Sequence, residues 1–191
     1  MKDTLRMILF VVILGTVLSA VILVVNAYTA PRIAKNGELT IKRNVLEAQG
    51  ISYGQEDLEQ VFDQNIQVVR KAEKTYYVLN NGDVAFEFSG NGLWGPIHGV
   101  ISLQSDLQTI KRIMIIHQEE TAGLGGRLAE RSYLSSFDAK KFSPAIEIVN
   151  RRKAEKDNEV DGITGATMTS KAFERLINGQ VGEYVAAYGG G

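Results

Sequence analysis

A run of 19 residues without a charged side chain, residues 7–25, constrains this chain more than any other feature. Only Gly15, Thr16 and Ser19 interrupt its apolar character. As a helix the run would be roughly 28 Å long, close to the ~30 Å thickness of the hydrocarbon core of a membrane. The sequence therefore predicts a membrane-spanning helix at residues 7–26, preceded by a short tail at residues 1–6.

A cleaved signal peptide is the alternative interpretation of this segment. Signal peptides have shorter apolar regions, of about 7–15 residues, followed by small residues at the cleavage site. Cleavage after Ala30 would put the bulky Tyr28 at the −3 position, so a retained anchor is the better interpretation. The positive-inside rule leaves the orientation open, because basic residues stand on both sides of the span: Lys2, Arg6, Arg32 and Lys35.

The composition excludes several classes of site. The chain has no Cys, which excludes disulfides, thiolate-bound zinc and cysteine-ligated iron–sulfur clusters within it. Its two histidines, His98 and His117, offer little for a metal site. The net charge of −1 argues against nucleic acid as a partner, and the basic run at residues 151–153 is interpreted as a solvated turn. Any redox chemistry must therefore come from an organic cofactor.

The rest of the chain predicts one α+β domain. Pro31 and Gly37 indicate a juxtamembrane link, so residues 27–50 are assigned to a linker and short helix, and residues 51–191 to the domain. Helices are expected at residues 57–69 and 127–137. An Asn81-Gly82 turn between two apolar runs predicts a hairpin. With further strands at residues 98–103, 110–117 and 145–149, the expected fold is a twisted, mainly antiparallel sheet flanked by helices.

Four hydroxyl side chains lie within seven residues of the C-terminal part: Thr164, Thr167, Thr169 and Ser170. From Met168 to Ile177 the apolar residues follow helical spacing, and Asn178-Gly179 supplies a stop signal. Thr167 should therefore lie at a helix start, where free backbone amides and the helix dipole favour a phosphate group. The simpler alternative is that Thr167 or Thr169 only caps the helix.

Residues 161–167, Asp-Gly-Ile-Thr-Gly-Ala-Thr, resemble the flavinylation motif of the FMN-binding subunits of membrane redox complexes. These are the G subunit of Rnf-type complexes and the C subunit of the sodium-pumping NADH:quinone oxidoreductase. In that family the last Thr of the motif carries FMN through a phosphoester bond, which a separate flavin transferase makes. The resemblance implies covalent FMN on Thr167, with Thr164, Gly165 and Ala166 beside it.

Two glycine-rich loops carry the rest of the resemblance. In residues 89–97, three glycines and a proline surround the only Trp, and the family has a similar loop that implies flavin contacts for Leu93 and Trp94. Residues 119–126 resemble the family's Glu-Thr-Pro-Gly-Leu-Gly loop, with Ala122 in place of the proline. The flavin-lining residues that this second loop implies are Glu120, Thr121, Gly123, Leu124 and Gly125. Without the resemblance both loops would be ordinary connections. His117 is either structural or in contact with the flavin.

The predicted function is that of a membrane-anchored electron carrier with covalent FMN, the domain lying outside the cytoplasm. It would be a subunit of an ion-translocating oxidoreductase of the ferredoxin:NAD, Rnf type, passing electrons between neighbouring subunits; the chain length favours this type. No side chain is assigned a catalytic role and no metal is expected. The alternatives are a C-type subunit of the sodium-pumping enzyme, a stand-alone flavoprotein reductase or sensor, and an anchored binding module without redox activity.

Overall fold

The computed structural model describes residues 2–54, 57–142 and 144–189. Gly190 and Gly191, the end of the domain expected at residues 51–191, lie outside the described residues. The chain divides into two compact units, Met1–Leu39 and Thr40–Gly191. The sequence predicts a domain from residue 51, and the second compact unit includes residues 40–50 as well.

Helix α1 (Lys2–Gln49) forms the described part of the first unit with its residues 2–39, and its residues 40–49 belong to the second unit. Its large apolar side chains, from Leu5 to Ile33, are exposed. Within the described residues α1 alone is long and apolar enough, by length and composition, to cross a membrane. Residues 31–37 are helical, although the sequence predicts a link there. Pro31 has no backbone N–H, so the helix lacks one hydrogen-bond donor at this position. The neighbouring residues have their N–H donors, and the helix continues past Pro31.

The next elements match the sequence prediction at one boundary and depart from it at another. Helix α1 ends at Gln49 and is followed by Gly50 with φ of 74°, which confirms the predicted end. Helix α2 (Leu58–Asn65) is shorter than the predicted helix at residues 57–69. Strand β1 (Ile66–Lys71) begins where α2 ends, because Ile66 and the residues after it pair with a strand further along the chain.

Five antiparallel strands form the main sheet in sequence order. After β1 these are β2 (Lys74–Leu79), β3 (Val84–Asn91), β4 (Pro96–Leu103) and β5 (Ile110–Gln118). The predicted hairpin is confirmed: Gly82, with φ of 90°, lies in the turn between β2 and β3, and its amide donates to the carbonyl of Leu79 at 2.9 Å. The strands predicted at residues 98–103 and 110–117 are also confirmed.

The chain after β5 is less regular than predicted. The helix expected at residues 127–137 is instead a short helix α3 (Arg131–Leu134) between two 3₁₀ turns, Gly125–Ala129 and Ser135–Phe137. Strands β6 (Glu147–Val149) and β7 (Glu159–Asp161) then form a two-stranded parallel pair.

Helix α4 (Thr167–Gly189) is longer than predicted, because the stop expected at Asn178-Gly179 is overridden by tertiary contacts. The side chain of Asn178 bonds both backbone groups of Ile146, at 2.9 and 2.8 Å. Beyond it, Tyr184 stacks on Phe86 with ring centroids 4.2 Å apart. These contacts hold the second half of α4 on the sheet.

Helices cover both faces of the sheet. On one face α4 contributes Phe173 and Ile177 to the main core, together with Phe86 and Phe88 of β3. On the other face the Ser102 hydroxyl donates to Gln49 at 3.1 Å, and Phe62 of α2 packs edge-on to Tyr77. The fold is therefore α+β with a mainly antiparallel sheet flanked by helices, as predicted.

Candidate functional site

The carboxylate of Glu120 joins the three motif segments at one end of the sheet. Its Oε1 accepts hydrogen bonds from the backbone amides of Leu93, at 2.7 Å, and Trp94, at 3.1 Å. Its Oε2 accepts the hydroxyl of Thr169 at 2.6 Å. Glu120 is only 6% exposed, so its carboxylate is largely shielded from water. One buried side chain thus fixes the β3–β4 loop and the start of α4 relative to its own loop.

Two glycines permit this close arrangement. A Cβ atom on Gly125 would lie 2.6 Å from the Thr169 hydroxyl oxygen and 2.9 Å from Oε2 of Glu120, so only glycine leaves room for that bond. Gly165 has φ of 81°, a conformation that other residues rarely adopt, and it turns the chain into α4. Close packing at Gly125 and the backbone conformation at Gly165 therefore explain why glycine stands at these two positions.

A cleft of about 290 Å³ opens where the three segments meet. It lies near the lower end of the roughly 300–1,000 Å³ usual for small-molecule sites. Four of the five large apolar side chains that are exposed in the described residues beyond 39 line it: Leu93, Trp94, Leu124 and Met168. Trp94 is 73% exposed, which means that it does not serve as a core residue. The remaining lining residues are Thr121, Gly125, Gly165, Ala166, Thr167 and Thr169.

The hydroxyl groups of the motif differ sharply in accessibility. Thr169 and Ser170 are 2% and 0% exposed. Thr169 is bonded to Glu120, whereas the Ser170 hydroxyl accepts the Ile163 amide at 3.1 Å and donates to the Ala166 carbonyl at 3.0 Å. Thr164 and Thr167 are exposed. Of the four hydroxyls, only these two are open to a reagent.

Thr167 is the first residue of α4, as expected from the sequence. The amides of the first helical turn have no partner within the helix and point outward from its N-terminal end. An anionic group on Thr167 would therefore lie at the positive end of the helix dipole. The residues fit a ligand that combines a flat apolar ring with a phosphate group.

Several of the residues that the resemblance singles out lie outside the 290 Å³ cleft. Glu120 lies behind it as a buried support, and Gly123 is absent from its lining. Thr164 lines a neighbouring cleft, which also includes Gly165 and Thr167. His117 is exposed and bonds to Glu119 at 3.2 Å. Among the described residues no group of three or more acidic or histidine side chains could hold a metal ion.

The sequence motifs indicate no site role for Met168, and they indicate for Thr169 only the role of a helix cap. Met168 belongs to an apolar pattern that indicates a buried helix face, yet it is 63% exposed and lines the cleft. Its position next to Thr167 is the sequence feature that could have indicated a place in the cleft. The bond between Thr169 and Glu120 joins residues 49 positions apart, so no local pattern reveals it.

Residues 92–180 of the chain match the protein-family model described as the FMN-binding domain. This segment begins at the Trp94 loop and extends well into α4, so it contains the whole cleft described above.

Proteins with similar sequences include C subunits of Na⁺-translocating NADH-quinone reductases. The one from Haemophilus ducreyi is 35% identical over 119 residues, covering 58% of this chain and 46% of that protein. The one from Vibrio anguillarum is 31% identical over 127 residues, covering 61% of this chain and 50% of that protein. The chain thus spans about half the length of these two relatives.

Two solved structures share the fold. NqrC from Shewanella oneidensis superposes with a TM-score of 0.66 at 20% identity, covering 73% of this chain and 89% of that one. The C subunit of the Na⁺-translocating NADH-quinone reductase from Parabacteroides distasonis gives 0.67 at 24% identity, covering 80% and 94%. At these identities the superpositions establish the architecture alone.

Proposed function

We propose that this chain is a membrane-anchored electron carrier that holds FMN covalently on Thr167. The observation that carries the proposal is the position of Thr167: an exposed hydroxyl at a helix start, on the rim of a cleft lined by exposed apolar side chains. The match of residues 92–180 to the FMN-binding domain family supports the same cofactor. Helix α1 would be the anchor, and the domain would lie on the outer face of the cytoplasmic membrane.

Bound FMN would supply the one- and two-electron redox chemistry. The protein's part is to bind and orient it. Trp94, Leu93, Leu124 and Met168 offer apolar surface to the ring system, and the first-turn amides of α4 favour the phosphate. The bonds from Glu120 to the amides of Leu93 and Trp94 keep the ring-contacting loop in place. The roles expected for Thr121, Gly123, Gly125, Thr164, Gly165 and Ala166 as pocket residues are part of this proposal.

The partners would be the other subunits of an ion-translocating oxidoreductase, together with the flavin transferase that loads Thr167. Two complexes are candidates. The motif resemblance includes the Rnf type, which works between ferredoxin and NAD. The names of the similar proteins favour the Na⁺-translocating NADH-quinone reductase. Identifying the proteins that copurify with the full-length chain from its native membrane distinguishes these complexes from each other and from a stand-alone flavoprotein.

Intact-protein and peptide mass measurements after coexpression with a flavin transferase test the proposal. Thr167→Val keeps the side-chain shape and removes the attachment oxygen, so the FMN-sized adduct should disappear completely. Thr164→Val is the matched control, because Thr164 is the other exposed hydroxyl of the motif. That variant should keep the adduct. An adduct that persists in Thr167→Val, or that maps to residue 164, would mean that the acceptor is misassigned.

A further inference from the structure

The turn at residues 150–153 is exposed to solvent, as the sequence predicts, and it also lines a cleft together with Thr167. Strands β6 and β7 are parallel, so their carboxyl ends meet at the same edge. The turn leaves that edge after Val149, and the loop to Thr167 leaves it after Asp161. The amide of Gly162 donates to the carbonyl of Val149 at 2.8 Å, which holds the two segments together.

Two of the three basic residues in this turn are committed to carboxylates. Arg152 forms a two-pronged pair with Glu159, both bonds being 2.6 Å, and Glu159 is 0% exposed. The hydrogen bond from Arg152 holds the pKa of Glu159 far below its usual range, helped by the backbone amide of Glu155, so the pair stays charged at neutral pH. Lys153 pairs with Asp161 at 3.2 Å.

Arg151 directly precedes these two anchored residues and is exposed. Within the described part of the chain no ion pair is found for its guanidinium group. The fold therefore uses two charges to fix the turn and leaves the third available. A guanidinium that is held on a fixed backbone binds phosphate oxygens well, because its donors form a planar fork.

Arg151 shares two clefts with Thr167. One, of about 440 Å³, lies between the turn and the loop at residues 161–165. The other, of about 380 Å³, lies against β6 and also includes Lys171, one helical turn after Thr167. The acidic lining residues are Asp161, which is already paired, and Glu147. Lys171 contacts Glu174 at 2.7 Å.

Thr167 thus separates two different surroundings. On one side is the apolar cleft of Trp94 and Met168, and on the other are the two clefts that Thr167 shares with Arg151. We propose that Arg151 binds the phosphate of the FMN group that Thr167 carries. This inference rests on the proposed function and adds a phosphate-binding side chain from a segment outside the three motif loops.

The full-length chain with Thr167→Val, in detergent, provides the test, because flavins can then bind only noncovalently. Quenching of flavin fluorescence gives the affinities for FMN and for riboflavin, which has the same ring and no phosphate. FMN should bind more tightly than riboflavin. Adding Arg151→Gln should weaken FMN binding roughly tenfold, the effect of losing one charge-assisted hydrogen bond, and leave riboflavin unchanged.

Arg175→Gln is the matched control, since Arg175 is an exposed residue on the same helix as Thr167 and lines neither cleft. It should change neither affinity. If Arg151→Gln leaves the ratio of FMN to riboflavin affinity unaltered while both flavins bind, the phosphate site is refuted and the ring cleft survives. Failure of both flavins to bind would refute the phosphate site and the flavin cleft together.

Discussion

At the scale of single residues, Glu120 does the most to assemble the candidate site. The resemblance implies that it lines a flavin pocket, whereas its carboxylate faces inward to two amides and the hydroxyl of Thr169. A buried carboxylate with three donors is costly to remove, because two partly buried amides and the buried hydroxyl of Thr169 then lose their acceptor. The site's geometry is therefore sensitive to a residue that the ligand need not touch.

Glu120→Ala should destabilise the domain by roughly 2–4 kcal/mol, because it leaves the buried Thr169 hydroxyl and two partly buried amides without their acceptor. It should also loosen the Trp94 loop. Trp94 is the only tryptophan, so its fluorescence reports on this loop without interference. Thermal unfolding and the anisotropy of the Trp94 fluorescence in the flavin-free protein are the measurements.

Glu119→Ala is the control for that experiment. Glu119 is the preceding residue and its side chain is 57% exposed, in contact with the exposed His117. Its removal should cost no more than about 0.5 kcal/mol and leave the fluorescence anisotropy of Trp94 unchanged. Equal effects of the two substitutions would contradict the role given to Glu120.

At the scale of elements, α4 makes the clearest case of a tertiary contact overruling a local signal. Asn178-Gly179 has the composition of a helix end, yet both residues are inside the helix. A glycine that ends a helix usually has a positive φ, and alanine at such a position would be strained. Inside a helix the same glycine is a weak point, because alanine is the better helix former.

Gly179→Ala should therefore stabilise the domain by roughly 0.5–1 kcal/mol. A Cβ atom at this position meets nothing within 4 Å, so no packing penalty offsets the gain. Denaturant unfolding of the flavin-free chain gives the sign directly. A loss of stability would indicate that α4 ends at Gly179, as the local sequence suggests.

Sequence patterns predicted the elements whose causes are local. The Gly82 hairpin and the end of α1 at Gly50 follow from turn chemistry, and β4 and β5 follow from their composition. The patterns gave the wrong secondary structure where a residue distant in sequence determines it. Ile66 follows the apolar spacing of a helix, but it lies in a strand because it pairs with Leu79. The same holds for the site. Each motif is recognisable in the sequence, but the hydrogen bonds by which Glu120 joins the motifs, and the position of Arg151 beside Thr167, depend on the folded structure.

At the scale of the whole molecule, the last ten residues of α1 belong to the folded domain as well as to the helix. The compact unit begins at Thr40, and Val45, Leu46 and Ala48 are each 0% exposed. Arg112 of β5 donates to the carbonyl of Glu47 at 2.6 Å, and Gln49 accepts the Ser102 hydroxyl. A domain cut at the sequence-based boundary of residue 51 would lose all of these contacts.

Two truncated chains test this division, one starting at residue 40 and one at residue 51. The chain from residue 40 should be soluble without detergent, because the exposed apolar residues up to Ile33 are gone, and it should unfold cooperatively. The chain from residue 51 loses two buried aliphatic side chains, at about 1.5–3 kcal/mol each. Its thermal midpoint should be roughly 10 °C or more lower, measured by circular dichroism. Equal midpoints would show that residues 40–50 add nothing to the domain, and insolubility of the longer chain would show that its core extends into the first unit.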